Sequence, residues 1–260
     1  MGGILLAACT SSSDTQSDPA DEQSQQVFIP NDNFPAEGFD LEGSSSIAII
    51  IADKVMNAMG GRKNWDATRY ITWNFFGSRK LLWDKQTGNV RIESLKDDLK
   101  ILVNVNEMTG KVWKNGSEQT DPDSLAYYLE RGRNMWINDS YWLVMPFKLK
   151  DSGVTLTYIG ESQTLLGEVS EELRLTFTNV GVTPQNAYHV WVSTETSLVK
   201  QWAYYSVHTD SVPAFILPWD NYQTYGQILL SDDRGERDLT DIAVLSEVPE
   251  RIFQSFDISL

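Results

Sequence analysis

One cysteine in 260 residues excludes an internal disulfide. Histidine is almost as scarce, with His189 and His208 the only two. There is no Gly-x-Ser-x-Gly nucleophile elbow. No run of about 18 apolar residues occurs, so no bilayer-spanning helix is predicted. Positive charge is missing from residues 10–45, whose acids are Asp14, Asp18, Asp21, Glu22, Asp32, Glu37, Asp40 and Glu42. The formal net charge is -15, and such a surface repels phosphate backbones, so nucleic acid is not an expected partner. Aromatic residues, by contrast, are abundant: nine Trp, ten Tyr and ten Phe. At ~150–250 Å² buried per ring, they supply a large core.

The lone cysteine sits in Ile4-Leu5-Leu6-Ala7-Ala8-Cys9, a short apolar run ending in small residues. Small residues before a cut site are the usual end of a secretory signal. Leu6-Ala7-Ala8-Cys9 resembles the lipobox of bacterial lipoproteins, in which the cysteine is acylated and becomes the mature N-terminus. The resemblance implies lipidation at Cys9 and attachment through acyl chains, two or more being needed for a stable anchor. Thr10-Ser11-Ser12-Ser13-Asp14 follows at once and cannot continue a core element. The stretch before Cys9 has no basic residue and is shorter than an ordinary signal, so the export signal is expected to begin upstream of Met1. Residues 1–9 read as the end of a lipoprotein signal and 10–45 as a flexible acidic linker. Residues 46–260 read as one domain. Within the linker, Phe28, Ile29, Phe34 and Phe39 either dock on the domain or stay loose.

The domain opens with helical spacing. Ser44-Ser45-Ser46 offers N-caps to a helix carrying Ile47, Ile50, Ile51, Val55 and Met59, and Gly60-Gly61 stops it. From Arg69 the period becomes two, with Ile71, Trp73 and Phe75 on one face of a first strand and Leu81 and Trp83 in a second. Hairpin signals continue to Trp113. Asp121-Pro122-Asp123 then starts a helix, with a second short helix expected to hold Trp142 and Met145. Strand patterns resume from Val154 to Leu245. The expectation is a mainly β (α+β) fold built on one curved antiparallel sheet with a few helices on one face.

Gly60-Gly61-Arg62-Lys63-Asn64-Trp65 followed by an aromatic strand resembles the opening of the LolA/LolB-like superfamily, the outer-membrane lipoprotein carriers and their relatives. Four further blocks are similar to a Gram-negative lipoprotein family of that superfamily that has no established activity. They are residues 83–88, 142–149, 179–186 and 228–235. The resemblance implies an unclosed β-barrel with a helical lid over an apolar cavity, placed in the cell envelope. It points to the outer membrane, facing the periplasm or the cell surface. Unlike a carrier, this chain has its own anchor signal.

Trp73, Phe75, Trp83, Trp136, Trp142, Met145 and Phe147 are the candidates to line a cavity for a lipid or another hydrophobic small molecule. The same alternation also describes packed core. The other reading is an envelope hydrolase, or a glycan-binding or glycan-active protein with an aromatic-lined cleft. Its platforms would be Trp191, Trp202 and Trp219 with Tyr204, Tyr222 and Tyr225. No catalytic residue, metal ligand or cofactor is assigned. His189 lies mid-strand, where a structural role is the default. The acidic loop Asp232–Asp238 lacks EF-hand spacing and reads as a solvated turn. Among 36 acids, spacing alone singles out no carboxylate pair.

Overall fold

A computed structural model describes residues 1–2, 32–178, 180–258 and 260. The chain divides after Pro30, and the fold belongs to the unit Asn31–Leu260. Cys9 and the linker up to residue 31 lie outside the described residues. The end of the acidic segment is docked. Ala36 and Asp40 donate backbone hydrogen bonds to the carbonyls of Lys150 and Val154, and Ser45 to that of Leu156. Phe39 is buried, whereas Phe34 is exposed. The folded domain therefore starts before Ser46.

Helix α1 (Ser46–Ala58) is capped by the Ser45 hydroxyl, which accepts from Ala48 N–H. It ends where Gly60 takes φ +113° and passes so close to the turn at Gln227 that an added Cβ would lie 2.4 Å from the Gln227 carbonyl. After α2 (Arg62–Ala67) come β1 (Tyr70–Phe75), β2 (Arg79–Asp84), β3 (Asn89–Ser94), β4 (Leu99–Asn104), β5 (Thr109–Lys114) and β6 (Ser117–Glu118). Helix α3 (Pro122–Val144) begins with Asp121 accepting from Ser124 N–H and Pro122 in the first turn. It runs unbroken through Trp142, and Met145–Lys148 is a single 3-10 turn rather than a second helix. The second half holds β7 (Val154–Gln163), β8 (Val169–Phe177), β9 (Ala187–Ser193) and β10 (Val199–Tyr205). It closes with β11 (Phe215–Pro218), β12 (Asp220–Tyr225), β13 (Ile228–Asp233) and β14 (Leu239–Leu245).

The fold is mainly β, antiparallel and not closed into a barrel. Its hydrogen bonding falls into three sheets, ordered β14-β1-β2-β3-β4-β5-β6, β12-β13, and β11-β10-β9-β8-β7. These follow one another along one curved surface, with β13 beside β14 and β12 beside β10. Trp219 N–H donates to the Lys200 carbonyl at the second junction. One break falls at Pro218, which has no donor for a ladder, and the other at the turn through Gly235, φ +75°. The outermost strands of this run are β6 and β7, and the segment before α1 lies along β7, with Asp40 and Ser45 donating to the Val154 and Leu156 carbonyls.

The helices fill the concave side. α1 packs on β7, and α3 packs on β4, β5 and β13. Gly132 of α3 lets the helix approach β4, since a Cβ there would lie 2.8 Å from Ile101 Cγ2. A second, small cluster on the other sheet face joins Tyr70, Leu82 and Ile252. The fully buried Arg91 holds the C-terminal segment there, donating to the carbonyls of Ile252, Ser255 and Ile258 and pairing with Glu93.

Lys85 carries a pH dependence. Its ammonium lies 3.5 Å from the Trp65 ring centroid and donates to the Trp65 and Thr68 carbonyls. Burial pushes its pKa down to about 8, against the pull of Asp66. Between about 8 and ~10.4, the usual lysine value, the unfolded chain binds more protons than the folded one, so stability rises with pH. Above ~10 the buried Tyr141, Tyr188 and Tyr222, raised by desolvation, oppose this, because they ionise first in the unfolded chain. Urea melts at pH 8 and 9.5 are expected to show a gain larger by roughly 1 kcal/mol than in Lys85→Met, the remainder coming from the buried Arg234, whose pKa burial lowers to about 9. An equal gain in the variant would remove Lys85 as its source.

Candidate functional site

The concave side carries a chain of rings. Trp142 meets Trp202 edge-on, with centroids 4.6 Å apart, and Phe215 at 5.5 Å. Tyr188 stacks on Trp202 at 5.3 Å and 4°, and Tyr141 lies 5.2 Å from Tyr188. Period two on β8, β9 and β10 puts Phe177, Tyr188 and Trp202 on this inner face, while the turns of α3 bring Tyr141 and Trp142 to meet them.

A cleft of about 340 Å³ opens between α3 and the β8–β9 end of this sheet. Its α3 wall is Trp136, Ile137, Tyr141 and Trp142. Opposite stand Phe177, Tyr188 and the loop carrying Val180, Val182 and Asn186. Lys148 and Asp151 pair with each other at the edge, and Arg133 is exposed at the rim. The volume is at the lower end of the ~300–1,000 Å³ usual for small-molecule sites, and the lining has the usual mix of rings, aliphatic groups and a few polar atoms.

Three of the lining residues carry buried polar atoms with no hydrogen-bond partner: Trp136 Nε1, Tyr141 Oη and Asn186 Oδ1. Asn186 Nδ2 is already used, donating to Thr183 Oγ1 at 2.6 Å. The Tyr141 phenol is held well above its ordinary pKa by burial, reinforced by Tyr188 and Asp151, so it keeps its proton. Burial likewise raises Tyr188, with Tyr204 adding to it.

Of the seven residues singled out in the sequence, Trp136 and Trp142 line this cleft. Trp73, Phe75, Trp83, Met145 and Phe147 are buried in the main core. Trp83 lies against Trp136, centroids 5.3 Å apart, so part of that core backs the cleft wall. Tyr141, Phe177, Asn186 and Tyr188 were not singled out. A usable signal was the helical spacing of Arg133, Trp136, Ile137, Ser140 and Tyr141, which places all five on one face of an uninterrupted helix.

The other aromatic candidates do not form exposed platforms. Trp191, Trp202 and Trp219 are buried, so a sugar finds no free face on them. His189 stands on the outer face of the same sheet, with Nδ1 2.6 Å from Glu172 Oε1 and its ring 4.8 Å from Tyr205. Ser162 Oγ donates to Glu172 Oε2 and accepts from Trp191 Nε1, so it serves the carboxylate rather than the imidazole. That arrangement orients His189 without a nucleophile beside it. The acidic loop departs from a solvated turn at Arg234, which is fully buried. Its guanidinium lies 3.5 Å over the Trp219 ring and donates to the Trp142 carbonyl and to Ser231. Burial brings its pKa down to about 9. Among the described residues no group of three or more His, Cys, Asp or Glu is placed to hold a metal ion. No helix among them is long and apolar enough to cross a membrane.

No protein-family model and no curated protein matches the sequence. Solved structures do match. A DUF1329 family protein from Desulfovibrio piger is 12% identical with a TM-score of 0.44, covering 80% of this chain and 98% of that one. A LolA superfamily protein from Nitrosomonas europaea is 12% identical with a TM-score of 0.38, covering 81% and 99%. A domain described as an outer membrane lipoprotein-sorting protein, from Vibrio parahaemolyticus, is 10% identical with a TM-score of 0.35, covering 78% and 97%. At these values the function has to be read from the cleft itself.

Proposed function

We propose that this protein is a lipid-anchored lipoprotein of the cell envelope whose domain binds a hydrophobic ligand without transforming it. The observation that carries the reading is the cleft between α3 and the β8–β9 sheet end, walled by Trp136, Tyr141, Trp142, Phe177 and Tyr188. The anchor is Cys9, through the lipobox-like Leu6-Ala7-Ala8-Cys9.

The ligand part is tested with an apolar fluorophore, N-phenyl-1-naphthylamine, titrated into the full chain. Saturable binding is expected. Val182→Trp is expected to weaken it at least tenfold with an unchanged melting temperature, because Val182 is half exposed at the cleft mouth and a larger ring fills the space. Binding that ignores the tryptophan, or no binding at all, contradicts the reading. The anchor is tested by expressing the chain behind a full lipoprotein signal. Cys9→Ala is expected to move it from the membrane to the soluble fraction without altering its circular dichroism, and continued retention rules out lipidation at Cys9.

A further inference from the structure

The sheet formed by β7 to β10 also has an outer face, and we infer that it carries a second site, a groove in which Arg174 and His189 take up a tetrahedral oxyanion of the phosphate class. The only two histidines of the chain, His189 and His208, both line this groove, together with Arg174, Tyr205 and Asp210. The fold holds these groups close to one another. Arg174 of β8 and His189 of β9 are direct partners across the ladder, so both side chains leave the same face. The Tyr205 ring of β10 lies 4.8 Å from the His189 ring. Arg174 Nη2 donates to the His208 carbonyl at 2.5 Å, which brings the loop after β10 to the same place.

His189 is held in one orientation. Trp191 Nε1 donates to Ser162 Oγ at 2.9 Å, Ser162 donates to Glu172 Oε2 at 2.9 Å, and Glu172 Oε1 lies 2.6 Å from His189 Nδ1. A carboxylate only accepts, so Nδ1 carries the proton. Glu172 does not line the groove, and Nε2 is the ring nitrogen left for it. Partners that fix the tautomer and the ring direction are what a histidine that receives a ligand needs. Arg174 is half-buried, and apart from the His208 carbonyl it meets no acceptor among the described residues. None of their carboxylates forms an ion pair with it.

A half-buried guanidinium without a counter-ion favours an oxyanion, which it can bind through two parallel N–H groups. Burial and the nearby Glu172 raise the pKa of the Tyr205 phenol, so it keeps its proton and can donate as well. An anion before His189 Nε2 favours the protonated ring, which then donates too. Donors arriving from β8, β9 and β10 suit the several outward oxygens of a phosphate better than a planar carboxylate. The titratable groups around His189 are Glu172 and Arg174 from β8, Tyr205 from β10, and His208 and Asp210 from the loop, while β7 adds the neutral Ile159 and Ser162. Both Glu172 oxygens are already occupied, and Asp210 is exposed and accepts from Val207 N–H. The net negative charge of the chain opposes a polyanion, whereas a single phosphate meets mainly these local charges. The groove, about 660 Å³ and open to solvent, has room for the organic part of an ester.

With two histidines in the chain, one variant, His208→Gln, assigns both sets of ring signals in nuclear magnetic resonance. The full chain is titrated with inorganic phosphate, glycerol 2-phosphate, sulfate and acetate. Phosphate and its ester are expected to shift the His189 ring signals saturably and to bind at least tenfold more tightly than acetate. Sulfate keeps its charge between pH 6 and 8, so its pH dependence reports the protein. It is expected to bind at least fivefold more tightly at pH 6, where histidine gains charge. Arg174→Met is expected to weaken phosphate at least tenfold while leaving the fluorophore in the cleft unchanged. Because Arg174 also holds the loop, His189→Gln is the second variant. It keeps that contact and is expected to lose most of the pH preference for sulfate, measured by calorimetry. An ester bound more tightly than the free ion makes the occupant an ester, and equal or weaker binding makes it the free ion; either supports the site. Acetate as tight as phosphate, ring signals that do not saturate, phosphate binding unchanged in Arg174→Met, or a pH preference unchanged in His189→Gln overturns it.

Discussion

Arg79→Met will destabilise the domain by about 3–5 kcal/mol, the cost of leaving a buried charge without its partner. Arg79 of β2 donates from Nε and Nη2 to the two carboxylate oxygens of Asp139 on α3, at 2.5 and 2.7 Å. Asp139 is fully buried, and its other contact is the neutral Asn138 amide. Desolvation already raises the Asp139 pKa, with Arg79 pulling the other way. Removing Arg79 leaves desolvation opposed only by the Asn138 hydrogen bond and moves the pKa further up. A carboxyl whose folded pKa is raised loses stability as pH climbs from the unfolded value, ~3.9, through the folded one. The deficit of Arg79→Met is therefore smallest near pH 4 and grows toward neutrality. The pair Arg79→Met with Asp139→Leu is expected to regain most of the loss, because an apolar pair of similar volume needs no desolvation. Chemical denaturation of the three variants at pH 4.5 and 7 measures this. A pH-independent deficit, or a double variant as weak as the single, would show that the ion pair is not what binds α3 to the sheet.

Trp202→Ala is the second large effect. Trp202 is buried at the centre of the ring cluster, touching Trp142, Tyr188, Phe215 and Trp219 with centroids 4.6–5.6 Å apart. Truncation of such a ring costs about 3–5 kcal/mol through lost transfer energy and the cavity left behind. The same change takes the backing from Tyr188 and Trp142, two walls of the cleft. Loss of stability is expected together with at least tenfold weaker fluorophore binding, even well below the melting midpoint. Trp202→Phe keeps a ring in place and is expected to recover most of both. A stable Trp202→Ala that binds normally would place the ligand elsewhere.

Much of the architecture is legible in the sequence. Period two from Arg69 onward located β1 to β5, and Ile71, Trp73 and Phe75 were put on one face, where the structure buries them together. Ser45 and Gly60-Gly61 marked the ends of α1, because capping and positive φ are local demands. The helical region was less legible. α3 continues through Trp142 because its outer positions are polar while Leu129, Gly132, Leu143 and Val144 are buried, and the sheet holds it over its whole length. The docking of Phe39 is left open by the sequence and that of Asp40, whose N–H donates to Val154, is not visible in it, since an acidic segment looks the same whether or not a strand edge receives it. Arg234 hid in a run of aspartates because its partners, Trp219 and the Trp142 carbonyl, are contributed by other elements.

The cleft depended most on long-range placement. Trp136 and Trp142 were visible as large apolar residues, but a ring on a core face and a ring on a cleft wall have the same alternation. Only the approach of α3 to the β8–β9 end decides which it is. Asn186 gives no signal of its own, since it reaches the cleft only through the loop before β9, where it donates to Thr183.

The central claim is that the cleft between α3 and β8–β9 receives an apolar chain. The most direct measurement is photolabelling of the full chain with an apolar alkyl probe bearing a terminal diazirine, followed by peptide mapping. The account predicts adducts confined to peptides spanning residues 133–142 and 177–188, abolished by Val182→Trp. Adducts scattered over exposed apolar residues such as Leu165 and Leu166, unaffected by that substitution, would contradict it.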